Sequence, residues 1–172
     1  PQDEIDHLMD YLEEFFKKEI DYLDKKGTRI LLSGDLGRIR ESTRNVCLEA
    51  IKRTENNNSF FLNICLNYGG RDEIVRASKK IAVLYKEGKI SLDDIDEKSF
   101  RNYLWNPLLP DVDLMIRTSG EMRLSNYLLY ENAYAEFIFT PVKWPDFHRD
   151  DLISCLEEFQ NRNRRFGGLK NA

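Results

Sequence analysis

Arg117, Thr118, Ser119, Gly120, Glu121, Arg123 and Ser125 fall within nine residues of this 172-residue chain. Planar guanidinium forks match phosphate oxygens two at a time. The hydroxyls add donors, and the glycine lets the backbone come close to a ligand. This pattern suits a phosphate or diphosphate cradle. An ordinary surface loop with two solvated arginines accounts for the same residue types, and the loop alone does not separate the two readings. Glu121, lying between the arginines, could simply neutralise them. Glu136 is the second residue with chemical content. Strand periodicity puts it on the face of Ile138, where a buried unpaired carboxylate would be costly. It must therefore be solvent-exposed at a strand end or paired with a cation.

The elements that would position these residues alternate strand and helix. Residues 112–116 read as a buried strand running into the arginine loop, and apolar runs of that kind belong to parallel sheets. In such sheets ligands bind outside the carboxyl ends of the strands. Residues 28–32 and 60–66 read as two further strands, closed by Gly34-Asp35 and by Asn67-Tyr68-Gly69-Gly70-Arg71. These three strand-end loops are expected to share one rim that holds the site. Helices are expected over residues 36–54, around Ile74, Val75, Ile81 and Tyr85, briefly over 126–131, and around Leu152, Leu156 and Phe159. A further strand is expected over 136–140. In the first helix, Ile5, Leu8, Met9, Leu12, Phe15, Phe16 and Leu23 recur at helical spacing, with Asp3 and Glu4 in the first turn and Gly27 ending it. Leu8, Tyr11, Leu12 and Phe15 project from one side, for which core packing is the simplest account. The expected class is α/β: a largely parallel sheet with helices on both faces, one domain over residues 1–172.

Composition narrows the function. Apolar residues make up 41% and charged residues 33%, ordinary for a globular protein. A net charge of −4 offers no general attraction to nucleic acid. Cys47, Cys65 and Cys155 are odd in number and sit in apolar patterns, which suits reduced buried thiols. His7 and His148 are far apart, which argues against zinc. Asp93, Asp94 and Asp96 read as a solvated capping turn.

Five ordered segments carry a specific likeness. They are Asn67-Tyr68-Gly69-Gly70-Arg71, Ile116-Arg117-Thr118-Ser119-Gly120-Glu121-Met122-Arg123-Leu124-Ser125-Asn126-Tyr127, Ala133-Tyr134-Ala135-Glu136-Phe137, Trp144-Pro145-Asp146-Phe147 and Arg164-Arg165-Phe166-Gly167-Gly168. Together they resemble the cis-prenyltransferases, the undecaprenyl diphosphate synthase family, over essentially the whole chain. The family's H-x-x-M-D-G-N-x-R-W-A and F-S-x-E-N-W motifs do not occur, so the chain looks like the later two-thirds of a synthase.

The resemblance implies condensation of isopentenyl diphosphate with an allylic diphosphate, farnesyl diphosphate being the expected primer. The product would be a Z-polyprenyl diphosphate, an undecaprenyl-like carrier for cell-wall glycan synthesis. It implies that Arg117, Arg123, Leu124 and Ser125 bind isopentenyl diphosphate and that Glu121 is a catalytic residue close to the reacting diphosphates. Glu136 would bind Mg²⁺. Leu8, Tyr11, Leu12 and Phe15 would line a hydrophobic tunnel. In a homodimer, Arg165 and Gly167 would reach the substrate diphosphate of the partner subunit. A cytoplasmic protein, peripheral at the membrane into which its product partitions, is implied too. The catalytic aspartate belongs to a motif this chain lacks, so the chain alone is expected to be inactive. A non-catalytic scaffold subunit is the alternative; the retained cradle argues against it.

Overall fold

The computed structural model describes residues 2–163. By contact the chain divides into two compact units, Pro1–Pro107 and Leu108–Ala172. The first holds α1 (Gln2–Lys25), β1 (Thr28–Ser33), α2 (Glu41–Arg53), β2 (Phe60–Cys65), α3 (Gly70–Lys86) and the short α4 (Glu97–Phe100). The second holds β3 (Leu114–Arg117), β4 (Glu136–Phe139) and α5 (Arg149–Gln160). Among the described residues each unit has one two-stranded sheet, and both pairings are parallel.

In the first unit, β1 and β2 run in register from Thr28 opposite Phe60 to Ser33 opposite Cys65. The core is a cluster of Phe16, Ile30, Cys47 and Ala50, with Leu12, Ile20, Leu23, Val46 and Ile64 packed against it. Thr54 is fully buried. Its hydroxyl accepts from the Ile30 N–H at 3.0 Å and donates to the Ala50 carbonyl at 2.8 Å, satisfying the end of α2. The strand β2 is less buried than its apolar run suggests, since Phe60 is 61% exposed.

The helix expected over residues 36–54 is broken in two. Leu36–Arg38 forms one 3₁₀ turn, capped by the Asp35 carboxylate on the Gly37 N–H. Arg40 is extended, at φ −61° and ψ 148°, and α2 starts after it. Its side chain is held elsewhere. The Glu13 carboxylate of α1 accepts from Arg40 Nε at 3.0 Å and Nη2 at 2.8 Å, from the Ser42 hydroxyl at 2.9 Å and from the Thr43 hydroxyl at 2.6 Å. The Thr43 hydroxyl bond is the largest cause that lowers the Glu13 carboxyl from its ordinary 4.5 to about 2, against the opposing effect of burial.

A depressed carboxylate stabilises the fold above its unfolded pKa and loses that effect as pH falls through its folded one. Stability attributable to Glu13 should thus be complete at neutral pH and disappear between about pH 4.5 and 2. Glu13→Gln should destabilise at pH 7 by an amount that shrinks progressively towards pH 2. Urea unfolding at several pH values checks this; a difference independent of pH would contradict it.

The loops that follow β1 and β2 are joined. Asp35 N–H donates to the Asn67 carbonyl at 3.2 Å, and Asn67 Nδ2 donates to the Asp35 carbonyl at 2.9 Å. Gly34 sits so close to this junction that a Cβ would lie 2.0 Å from the Leu66 carbonyl oxygen, and its φ is +124°. Only glycine fits there. The fully buried Glu73 of α3 accepts from the Tyr68 hydroxyl and from the Trp105 N–H. Arg76 stacks over the Trp105 ring at 3.7 Å. These bonds deliver Asn106 to the strand ends, where Nδ2 donates to Ser33 Oγ at 2.7 Å and Asn63 Oδ1 at 3.0 Å.

In the second unit, β3 and β4 are short, with Leu114 opposite Glu136 and Arg117 opposite Phe139. Residues 126–131 form turns rather than the expected helix. Ser125, Asn126 and Leu128 all have positive φ, which breaks a right-handed ladder before it can start. Asn132 Nδ2 instead caps the carbonyls of Tyr127 and Leu128, at 3.1 and 2.7 Å.

Candidate diphosphate-binding site

The loop after β3 is shaped by its backbone. Ser119 N–H donates to the Val142 carbonyl and Gly120 N–H to the Thr140 carbonyl, both at 2.8 Å. Ser119 and Gly120 have φ of +66° and +67°. Among the described residues, four of the five non-glycine residues with positive φ, namely Ser119, Ser125, Asn126 and Leu128, lie in this one loop. Such conformations persist where surrounding contacts hold them, and they cluster at functional sites.

Gly120 is needed for its φ rather than for space: a Cβ there would meet only Pro141 Cα, at 4.0 Å. Because the Ser119 and Gly120 N–H groups are already bonded, neither is available to an anion, which leaves the loop's side chains as candidates. Those side chains surround a cavity of about 520 Å³ lined by Ile116, Arg117, Thr118, Ser119 and Glu121, with Trp144, Phe147 and Leu152 forming an apolar wall.

Arg117 is half-buried at the carboxyl end of β3. Arg123 does not line the cavity but ion-pairs with Glu121, which does. Arg117 and the carboxylate partner of Arg123 thus line one cavity. Ser125 is exposed, while Leu124 is half-buried and its carbonyl accepts from the Tyr127 N–H at 3.1 Å. A group of this composition can bind an anion with an apolar tail: cations and hydroxyls on one side, indole and phenyl rings on the other. The rings were not legible as wall residues. Trp144-Pro145-Asp146-Phe147 reads as a chain breaker, and only the 3₁₀ turn at Trp144–Asp146 brings it beside the arginine loop.

Glu136 lies at the other end of the strand pair. It opens β4 opposite Leu114, three register steps from Arg117, or about 10 Å along the strand. Of the two environments open to it, the structure shows the cation: Arg162 Nη1 donates to Glu136 Oε2 at 2.9 Å, and Arg162 Nη2 to Glu158 Oε1 at 2.5 Å. Mg²⁺ takes oxygen ligands and is commonly held by one or two carboxylates plus waters and phosphates. Here one Glu136 oxygen is already committed to a guanidinium, and no group of three or more His, Cys, Asp or Glu converges among the described residues. The described side chains do not by themselves fit a magnesium site. Arg165 and Gly167 lie outside the described residues.

The four residues expected along a tunnel are divided by α1. Leu12 packs on the core, whereas Leu8 and Tyr11 are 62% and 61% exposed and Phe15 is 38% exposed. Leu8 lines a cavity of about 480 Å³ in the first unit, with Ile5, Met9, Ile39 and Leu66. No helix among the described residues is long and apolar enough to cross a membrane.

Comparison with known proteins bears on the chain as a whole. The chain is 48% identical over 170 residues to an isoprenyl transferase of Clostridium perfringens, covering 99% of this chain and 67% of that one. It is 43% identical over 169 residues to a Micrococcus luteus ditrans,polycis-undecaprenyl-diphosphate synthase, (2E,6E)-farnesyl-diphosphate specific, covering 98% of this chain and 68% of that one. In three dimensions it matches the lavandulyl diphosphate synthase of Lavandula x intermedia, solved with dimethylallyl diphosphate. The TM-score is 0.93 at 34% identity, over 97% of this chain and 72% of that one. The chain spans about two thirds of the length of the curated relatives it matches. A family model, Prenyltransf, the undecaprenyl diphosphate synthases, matches residues 1–167. On that match and those identities, the chain belongs to the undecaprenyl diphosphate synthase family, the cis-prenyltransferases.

Proposed function

We propose that this chain is part of an isoprenyl transferase that extends an allylic diphosphate by isopentenyl units, giving a Z-polyprenyl diphosphate. In each cycle a carbon–carbon bond forms between the allylic carbon and the isopentenyl double bond. The allylic diphosphate leaves, and a proton is lost from the isopentenyl portion. The observation that carries this reading is the cavity after β3, where half-buried Arg117 stands with Thr118, Ser119 and Glu121 against an apolar wall. Isopentenyl diphosphate has that same division, a small apolar group on a dianionic or trianionic head. Arg117 and Arg123 would hold the head by charge-assisted hydrogen bonds, with Leu124 and Ser125 completing the loop around it. Glu121 would hold Arg123 in place until the diphosphate arrives. Glu136 would be the one protein carboxylate offered to a Mg²⁺ ion shared with the diphosphates, an ion that would neutralise part of their charge. The exposed side of α1, with Leu8, Tyr11 and Phe15, would border the growing chain.

Farnesyl diphosphate is the proposed primer, in line with the specificity stated for the Micrococcus luteus relative. The proposal extends to a cytoplasmic homodimer as the working form, whose undecaprenyl-like product would pass to the membrane and serve cell-wall glycan synthesis. The full-length protein, given farnesyl diphosphate and excess labelled isopentenyl diphosphate, should produce labelled polyprenyl diphosphates resolved by thin-layer chromatography. Folded full-length protein that incorporates no label under these conditions would overturn the reading.

A further inference from the structure

The helix α1 is seated unevenly. From Leu12 onward its inner face joins the core through Leu12, Phe16, Ile20 and Leu23. Its amino-terminal half has no such support: Ile5, Leu8 and Tyr11 are 49%, 62% and 61% exposed. That half instead borders the 480 Å³ cavity, opposite Arg38, Ile39 and Leu66. One polar tie crosses at the junction between the two halves. Arg40, itself on the cavity wall, donates to Glu13 through Nε and Nη2, and through Nη2 to Asp10 Oδ1 at 2.5 Å. Glu13 is 13% exposed, and Ser42 and Thr43 at the start of α2 also donate to it.

We propose that the Glu13–Arg40 clamp is a positioning device that fixes the tilt of the amino-terminal half of α1, and so the width of the cavity and the length of the prenyl chain made. The proposal rests on the elongation reading given above. Geometry gives the clamp leverage. Ile5 lies eight residues before Glu13, about 12 Å along the axis, so a tilt of about 5° about the clamp moves it by about 1 Å. A shift of that size decides whether an apolar wall touches a chain or leaves room for another unit. The clamp has the strength to hold the tilt, because its bonds are charge-assisted and converge on one largely buried carboxylate. Burial alone does not hold it, since the half-helix beyond the clamp presents mostly exposed side chains.

The test uses the full-length enzyme with a fixed primer and excess labelled isopentenyl diphosphate. Glu13→Gln keeps the shape but removes the charge, and should shift the mean product by at least one isoprene unit and broaden the distribution. The Michaelis constant for isopentenyl diphosphate should stay within about twofold. Glu13→Asp, which keeps the charge, should restore part of the parent pattern. Should Glu13→Gln fail to fold, the milder Arg40→Lys should show a smaller shift in the same sense. A folded, less stable Glu13→Gln with the parent distribution would show the clamp to be purely structural and overturn the proposal while leaving the elongation reading intact. A parent enzyme that makes no polyprenyl product would instead overturn the elongation reading, and the clamp's role with it.

Discussion

Arg123→Ala in the full-length enzyme is expected to raise the Michaelis constant for isopentenyl diphosphate about 10- to 150-fold. The range follows from the roughly 1.5–3 kcal/mol associated with a hydrogen bond to a charged group. The fold should hardly notice. Arg123 is 64% exposed at its side chain, and its ion pair with Glu121 is a surface pair, worth at most about 1 kcal/mol. The loop keeps its shape through the Ser119 and Gly120 N–H bonds, which the substitution does not touch. Arg123→Lys should recover only part of the loss, because an ammonium keeps the charge but cannot present a planar fork.

Glu121 provides a further check. Without Arg123 its carboxylate stands unneutralised in the cavity and opposes an incoming diphosphate. Arg123→Ala with Glu121→Gln should therefore bind isopentenyl diphosphate better than Arg123→Ala alone, a coupling that a double-mutant cycle measures. Initial rates at saturating primer provide the constants. A Michaelis constant unchanged in Arg123→Ala would remove Arg123 from the cradle.

The neighbouring rings Phe15 and Phe16 should behave as opposites. Phe16 is 2% exposed within the core cluster. Its replacement by alanine is expected to cost about 3–5 kcal/mol, from lost burial and from the cavity left behind. Phe15 is 38% exposed, so Phe15→Ala should cost well under half as much. If Phe15 borders the growing chain, the same substitution should lengthen the products while leaving the affinity for isopentenyl diphosphate nearly unchanged. Urea midpoints of the two variants, compared with the parent, give the stability difference; product analysis gives the length. Equal destabilisation by the two variants would contradict the seating of α1 described here.

The arrangement of elements was largely legible in the chain itself. Apolar runs, glycine stops and helical periodicity mark α1, β1, β2, α3 and α5 to within a few residues, because those signals are local. The grouping of Arg117, Glu121 and Arg123 was legible too, since they are close in sequence and any fold of that loop keeps them near one another. Other features depended on partners distant in the chain. Arg40 is extended and α2 starts only after it, with its side chain held by Asp10 and Glu13, about thirty residues earlier. The run after Ser125 looks helical, yet the left-handed backbone at Ser125, Asn126 and Leu128 excludes a helix.

Glu136 shows the division most clearly. Periodicity required either solvent or a cation for it, and only tertiary structure supplied Arg162, 26 residues further on. The same holds for Trp144 and Phe147. Their residue types announce burial or binding, but which surface they face is decided by the turn between β4 and α5. Local propensity sets which segments become helix or strand. The pairing of charges and the walls of cavities are set by contacts between distant segments, whose energies depend on distance and burial that no local pattern encodes.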